Sequence, residues 1–328
     1  MTKLSRKKKI FFLIIILFCS FSYSLFSPIT ATDTNTLLHF VQLADVHIDY
    51  PSVNPFHGKL LDDSGRMFHI AIDEINKIPG LDFVLVTGDL VEKPDEKLIK
   101  KFIDISKSLR YPYYVLLGNH DINFSHLIKK EEFIKKFYTL DNATSFTNQM
   151  SYYSFSPNEK FKIICLDGVI EKLDSANGDI GNTQLEWLTN ELETNKDKYV
   201  IIALHFPIIP PYEGSEKEIL EPSRTKLLDL VNGYKNVVGV FSGHYHAAGL
   251  YNVKNKIHNS CPALVQYPNA FREIIVSQND PQHITFNFKW HQIDAPKLVH
   301  ESKITTAPYR LFQGRKIDRE NSFDLIVK

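Results

Sequence analysis

Six short apolar runs mark the first 241 residues of this chain: Leu38–Leu43, Phe83–Thr87, Tyr114–Leu117, Ile163–Leu166, Tyr199–Leu204 and Val237–Phe241. Each is too short for a buried helix, and each gives way to a polar or glycine-containing turn, the pattern of strands covered on both faces. Between them, Met67–Ile78, Lys97–Leu109, Glu131–Tyr138, Gln184–Leu192 and Ser223–Val231 carry apolar residues at helical spacing. Strands alternating with helices predict an α/β fold. After His246 the character changes: Gly249–Val253, Ile257–Ser260, Arg272–Ser277 and His283–Lys289 read as successive strands with short turns, an antiparallel finish. Phe206–Pro222, rich in Pro, Gly and Glu, reads as a long loop.

The first 31 residues stand apart. Lys3, Arg6, Lys7, Lys8 and Lys9 precede an unbroken apolar run, Ile10–Phe18, and then smaller, more polar residues. A basic start, a short apolar stretch and small residues form the layout of a secretory signal. The expectation is an exported protein, with residues 1–31 a signal peptide, 32–290 a catalytic domain and 291–328 a C-terminal extension. The other reading of the N-terminus is an uncut anchor, which would be the only membrane contact. Once those residues are set aside, 33 basic side chains face 38 acidic ones. An acidic body lacks the electrostatic footprint of a protein that grips nucleic acid backbones, so a nucleic acid partner is not expected. Cys165 and Cys261 are too few for a disulfide scaffold.

The ends of the predicted strands carry the chemistry. Leu38–Leu43 leads to Asp45-Val46-His47, Phe83–Thr87 to Gly88-Asp89, and Tyr114–Leu117 to Gly118-Asn119-His120-Asp121. Tyr199–Leu204 leads to His205, and Val237–Phe241 to Gly243-His244-Tyr245-His246. Sites in open α/β sheets gather at the carboxyl ends of strands, so these residues should share one crevice. Asp45 and His47, two apart, should point the same way from an extended segment, and so should His244 and His246, with Tyr245 turned away into packing. Carboxylate oxygen, imidazole nitrogen and one amide oxygen suit Mn, Fe or Zn better than Ca or Mg. Asp45, His47, Asp89, Asn119, His205, His244 and His246 are too many ligands for one open metal site. They fit two divalent ions bridged by one carboxylate, an arrangement that serves phosphate hydrolysis.

In this order the five blocks resemble the pattern of the calcineurin-like metallophosphoesterases: D-x-H, G-D, G-N-H-[DE], H and G-H-x-H. The turns Gly88-Asp89-Leu90-Val91 and Gly118-Asn119-His120-Asp121 look like the bacterial cyclic-nucleotide phosphodiesterase branch. The resemblance implies a four-layer α/β/β/α sandwich. It also implies one metal on Asp45, His47, Asp89 and His246, and another on Asp89, Asn119, His205 and His244. His120 would be the catalytic histidine and Asp121 the acid that orients it. A water held between the metals would attack phosphorus in line. The implied function is a hydrolase of small phosphate esters, read as a phosphodiesterase, with a phosphomonoesterase and a non-catalytic metal-binding scaffold as alternatives. Two departures narrow the branch. Glu92 stands where purple acid phosphatases carry a tyrosine, and Leu204 stands where many cyclic-nucleotide enzymes carry a second histidine.

Overall fold

In a computed structural model, residues 35–51, 58–123, 128–141, 145–146, 149–172, 175–216 and 218–327 are described. Residues 1–31, expected to be a signal peptide, lie outside them. In chain order the elements are β1 (Thr36–Leu43), α1 (Ser64–Ile75), β2 (Phe83–Val86), α2 (Glu96–Ser106), β3 (Tyr113–Val115), α3 (Lys130–Asp141), β4 (Tyr153–Phe155) and β5 (Phe161–Cys165). They continue with α4 (Asn182–Thr194), β6 (Tyr199–Ala203), α5 (Ser223–Gly233), β7 (Val237–Ser242), β8 (Gly249–Val253), β9 (Lys256–Ser260), β10 (Ala270–Asp280) and β11 (His283–Gln292). Three short helices, α6 (Pro296–Thr305), α7 (Tyr309–Gln313) and α8 (Lys316–Arg319), lead to β12 (Asn321–Ile326).

The strands form two six-stranded sheets, in the orders β12-β11-β10-β1-β2-β3 and β4-β5-β6-β7-β9-β8. β1, β2 and β3 pair in parallel, as do β5, β6, β7 and β9, while β10–β12, β4 and β8 add antiparallel pairs. Parallel neighbours need crossovers: α1, α2, α4 and α5 lie in those of β1–β2, β2–β3, β5–β6 and β6–β7, while β8 lies between β7 and β9. The result is the expected α/β sandwich. All six apolar runs became strands, shifted by a residue or two at their ends.

The helices form for local reasons. On α1, Met67, Phe68, Ala71, Ile72 and Ile75 make one fully buried stripe. The Asp95 carboxylate caps α2 by accepting from the N–H groups of Lys97 and Leu98. Between the sheets, Phe40 stacks on Phe83 at 4.9 Å and meets Phe241 of the opposite sheet at 5.5 Å. Truncating such a phenylalanine to alanine removes about 3–5 kcal/mol.

The residues after 290 do not trail from the domain. β11 runs past that boundary to Gln292, and β12 pairs along β11 from His283↔Ile326 to Phe288↔Asn321. Arg272, fully buried on β10, donates to the carbonyls of Asp318 and Arg319 and so holds α8 against the sheet. Among the described residues no helix is long and apolar enough to cross a membrane.

Candidate active site

The loops that follow β1 and β2 are laced together by backbone hydrogen bonds. The Asp45 N–H donates to the Gly88 carbonyl at 3.1 Å, and the His47 N–H donates to the Asp89 carbonyl at 2.9 Å. This close approach needs glycine twice. Gly88 sits at φ +87°, and a Cβ there would enter the His205 ring; a Cβ on Gly118 would collide with Asp89.

The structure brings all seven candidate ligands together. The device differs from the extended alternation that their spacing suggests. Asp45, His47, Asp89, His244 and His246 all have positive φ, between 45° and 73°. Left-handed backbone at non-glycine residues costs on the order of 1–3 kcal/mol each, and such strain concentrates at functional sites. Tyr245 lies between two of these kinks, so the extended geometry that would turn it away is absent. It lines the site cavity, and its hydroxyl donates to the Glu216 carbonyl.

Two clusters result, joined at one atom. In the first, Nε2 of His47 and Nε2 of His246 are 3.2 Å apart, and Nε2 of His246 lies 3.5 Å from Asp45 Oδ1. In the second, Asn119 Oδ1 lies 3.1 Å from both His205 Nε2 and His244 Nδ1, which are 3.2 Å from each other. Asp89 Oδ2 is 3.4 Å from His47 Nε2 and 3.4 Å from His205 Nε2, one oxygen placed between both sets. The other oxygen, Oδ1, accepts the backbone N–H of His120 at 2.9 Å. Ligation at about 2.1 Å in tetrahedral or octahedral geometry sets donor–donor edges of about 3.0–3.4 Å, the spacing seen.

The rings are aimed by their other nitrogens. His205 Nδ1 meets the Thr87 carbonyl at 2.9 Å, and His246 Nδ1 meets Oε1 of Gln266. Both acceptors put a proton on Nδ1, so Nε2 is the nitrogen that each ring would offer to a cation. His47 Nδ1 lies 2.6 Å from Glu92 Oε2, a polar contact whose N–H falls off the hydrogen-bond line. Bare nitrogens facing each other beside two carboxylates repel unless a cation lies among them. The residues therefore fit a dinuclear divalent-metal site.

The protein's own charges agree. Burial, and then the Lys59 charge, hold His47 down to about 4, and burial with the His205 charge takes His244 to about 3. Burial also drives His246 well below its ordinary value. Those imidazoles are neutral and able to ligate. Burial raises Asp45. Burial would also raise Asp89 and lower His205, yet their mutual attraction wins: Asp89 falls well below the carboxylate range and His205 rises to about 9. Without other cations, a proton on His205 balances the carboxylates.

Asp121 does not orient His120 as expected. Its Oδ1 accepts the N–H groups of Leu90 and Val91 at 2.8 and 3.0 Å, and its Oδ2 accepts Gly118 N–H at 2.8 Å. It is fully buried and staples the β2 loop to the β3 loop. The group at His120 is Glu92, with its carbonyl 2.9 Å from Nδ1 and Oε2 at 3.5 Å. Glu92 also takes both its oxygens to within 2.8 Å of Lys59 Nζ. Sequence marked Glu92 only as a missing tyrosine; its position three residues after Asp89 was the available signal.

A cavity of about 750 Å³ opens over the clusters, lined by Lys59, Glu92, His120, His244, His246 and Gln266 together with Glu218, Tyr245, Thr305, Ala307 and Phe312. Phe206 does not reach it: that ring is fully buried, 4.8 Å from the His244 ring. A larger groove, of about 1170 Å³, lies between α4 and α5 and holds none of the motif residues.

Comparison with known proteins places this geometry. A protein of Arcobacter nitrofigilis named probable glycerophosphodiester phosphodiesterase is 28% identical over 63% of this chain and 71% of its own length. The manganese-dependent ADP-ribose/CDP-alcohol diphosphatase of Arabidopsis thaliana is 23% identical, over 71% and 88%. A probable cyclic nucleotide phosphodiesterase of Xenorhabdus bovienii is 24% identical, over 77% and 94%. The crystal structure of a dimetal phosphatase from Danio rerio superposes with a TM-score of 0.62 at 14% identity, covering 79% of this chain and all of that one. A family model described as calcineurin-like phosphoesterase matches residues 38–248, the stretch that holds all seven candidate ligands and His120. The chain belongs to the calcineurin-like phosphoesterases, metal-dependent hydrolases of phosphate esters.

Proposed function

We propose that the chain is a phosphodiesterase acting on small diesters, with one Mn, Fe or Zn ion held by Asp45, His47, Asp89 and His246 and a second by Asp89, Asn119, His205 and His244. The observation that carries this reading is Asp89 Oδ2, equidistant at 3.4 Å from His47 Nε2 and His205 Nε2. Divalent ions bound there supply Lewis acidity toward the phosphoryl oxygens and ease proton loss from the attacking water.

The chain's own residues do the rest. Strained backbone and fixed tautomers preorganise the ligands, so little reorganisation accompanies reaction. Glu92 commits Nδ1 of His120, which lines the cavity, and its Nε2 is the atom assigned to hydrogen-bond a phosphoryl oxygen or protonate the departing alcohol. The preference for diesters draws on three relatives, of which two are named as phosphodiesterases and the third as a diphosphatase. Export, the expectation from residues 1–31, is part of this proposal and concerns only where the chemistry happens.

The test is the initial rate of the Mn-loaded protein from residue 32 onward on bis(p-nitrophenyl) phosphate and on p-nitrophenyl phosphate. A clear diester preference is expected. A monoester preference would make the protein a phosphatase, and turnover of neither would revive the scaffold alternative.

A further inference from the structure

We infer that the stretch from Thr305 to Phe312, which lies beyond the part of the chain matched by the family model, is the specificity wall of the active-site cavity, and that Phe312 selects an apolar or aromatic substituent on the diester. The inference rests on the phosphodiesterase reading and goes beyond it by assigning the substituent that is retained.

The cavity lining is of two kinds. His120, His244 and His246 stand with the ionisable Glu92, Lys59 and Glu218. Thr305, Ala307 and Phe312 are uncharged and come from one stretch of chain, Tyr245 and Gln266 being the other uncharged members. A phosphodiester has a single negative charge and two alcohol substituents. Its phosphoryl group belongs with the histidines, where the developing charge is met. The substituent that does not leave is then assigned to the uncharged stretch, where a phenyl ring offers apolar area and stacking.

This wall is fixed to the metal-ligand loop. The Ala248 N–H, two residues past His246, donates to the Phe312 carbonyl at 2.9 Å. Gly314 follows at φ +66°, and a Cβ there would run into the Ala248 carbonyl, so the two segments meet at glycine distance. On the other side, the buried Ser302 hydroxyl donates to the Gly58 carbonyl at 3.1 Å, beside Lys59. Buried Arg272 holds the carbonyls of Asp318 and Arg319 beyond α7. With both flanks tied down, Phe312 acts as a rigid contact.

Two probes that share a leaving group isolate the retained substituent: methyl p-nitrophenyl phosphate and phenyl p-nitrophenyl phosphate. The wild-type protein is expected to have the higher kcat/KM on the phenyl ester. Phe312→Ala should lower the phenyl-to-methyl ratio of kcat/KM by about tenfold, the scale of one lost apolar contact in a pocket, and mainly through KM. Phe312→Leu, which keeps apolar bulk without a ring, carries the same test should the alanine variant fail to fold, with metal content per chain as the check on the site. A phenyl-to-methyl ratio unchanged in a folded, metal-loaded variant that still turns over the methyl ester overturns the inference and leaves the phosphodiesterase reading standing. Hydrolysis of p-nitrophenyl phosphate but of neither diester by the wild-type protein overturns both.

Discussion

Glu92 carries its carboxylate to 2.6 Å from Nδ1 of His47, and it does so from three places beyond Asp89. The same residue meets His120 Nδ1 through its main-chain carbonyl at 2.9 Å, and its carboxylate is balanced by Lys59, so Glu92 stands against both rings. Groups that orient a ligating imidazole govern its basicity and direction. Glu92→Gln is expected to weaken metal binding by about 10–100-fold, read by calorimetric titration with Mn. An unchanged affinity would reduce Glu92 to a packing role.

His120 lies inside the third motif block without being among the proposed ligands. His120→Ala should keep two metals per chain and lose about 10²–10⁴-fold in kcat, the usual contribution of a positioned acid or hydrogen-bond donor. Turnover at the wild-type rate would remove His120 from the mechanism.

Asp121 gives a different signature from His120. Its carboxylate accepts three buried backbone N–H groups, and burial with the Asp89 charge pushes it up to about 8 against those donors. Asp121→Ala strands all three, at about 1–3 kcal/mol for each unsatisfied group before relaxation. The variant should melt well below the wild type and lose metal as the β2 and β3 loops part. A stable, metal-loaded variant with low kcat would restore the role of orienting His120.

The strand-end blocks were legible because each is a local signal: an apolar run, a turn, then a ligand. Glu92 and Gln266 were not, since their roles depend on neighbours that only the fold supplies; Gln266 reaches back to His246 from the far side of β8 and β9. Asp121 was misassigned because a position next to His120 in sequence says nothing about which way a carboxylate turns. Phe312 was out of reach altogether. Polar, short and interrupted, the segment after 290 has no periodicity to mark α6–α8 or β12, whose place is set by pairing with β11 and by buried Arg272.

Away from the site, Glu273 on β10 is buried among His39, Lys289 and His291, at 3.0, 2.8 and 2.8 Å. Burial alone would raise its carboxyl, but hydrogen bonds from His291, His39 and Lys289 hold it well below the usual range. A carboxyl depressed in the folded state stabilises above its unfolded value of about 4.3, and that stability is lost as pH falls. Glu273→Gln should therefore cost about 1–3 kcal/mol at pH 7, with the gap to wild type closing below about pH 4 in thermal melts. A gap that is constant from pH 7 to pH 3 would contradict the ionic account.

The measurement closest to the central claim is metal content per chain, by elemental analysis after loading with Mn and desalting, for the wild type and for Asp89→Ala. Because one oxygen of Asp89 stands between both ligand sets, the wild type should hold two ions and the variant should lose both. Two ions retained by Asp89→Ala, or a single ion in the wild type, would contradict a dinuclear site bridged by Asp89.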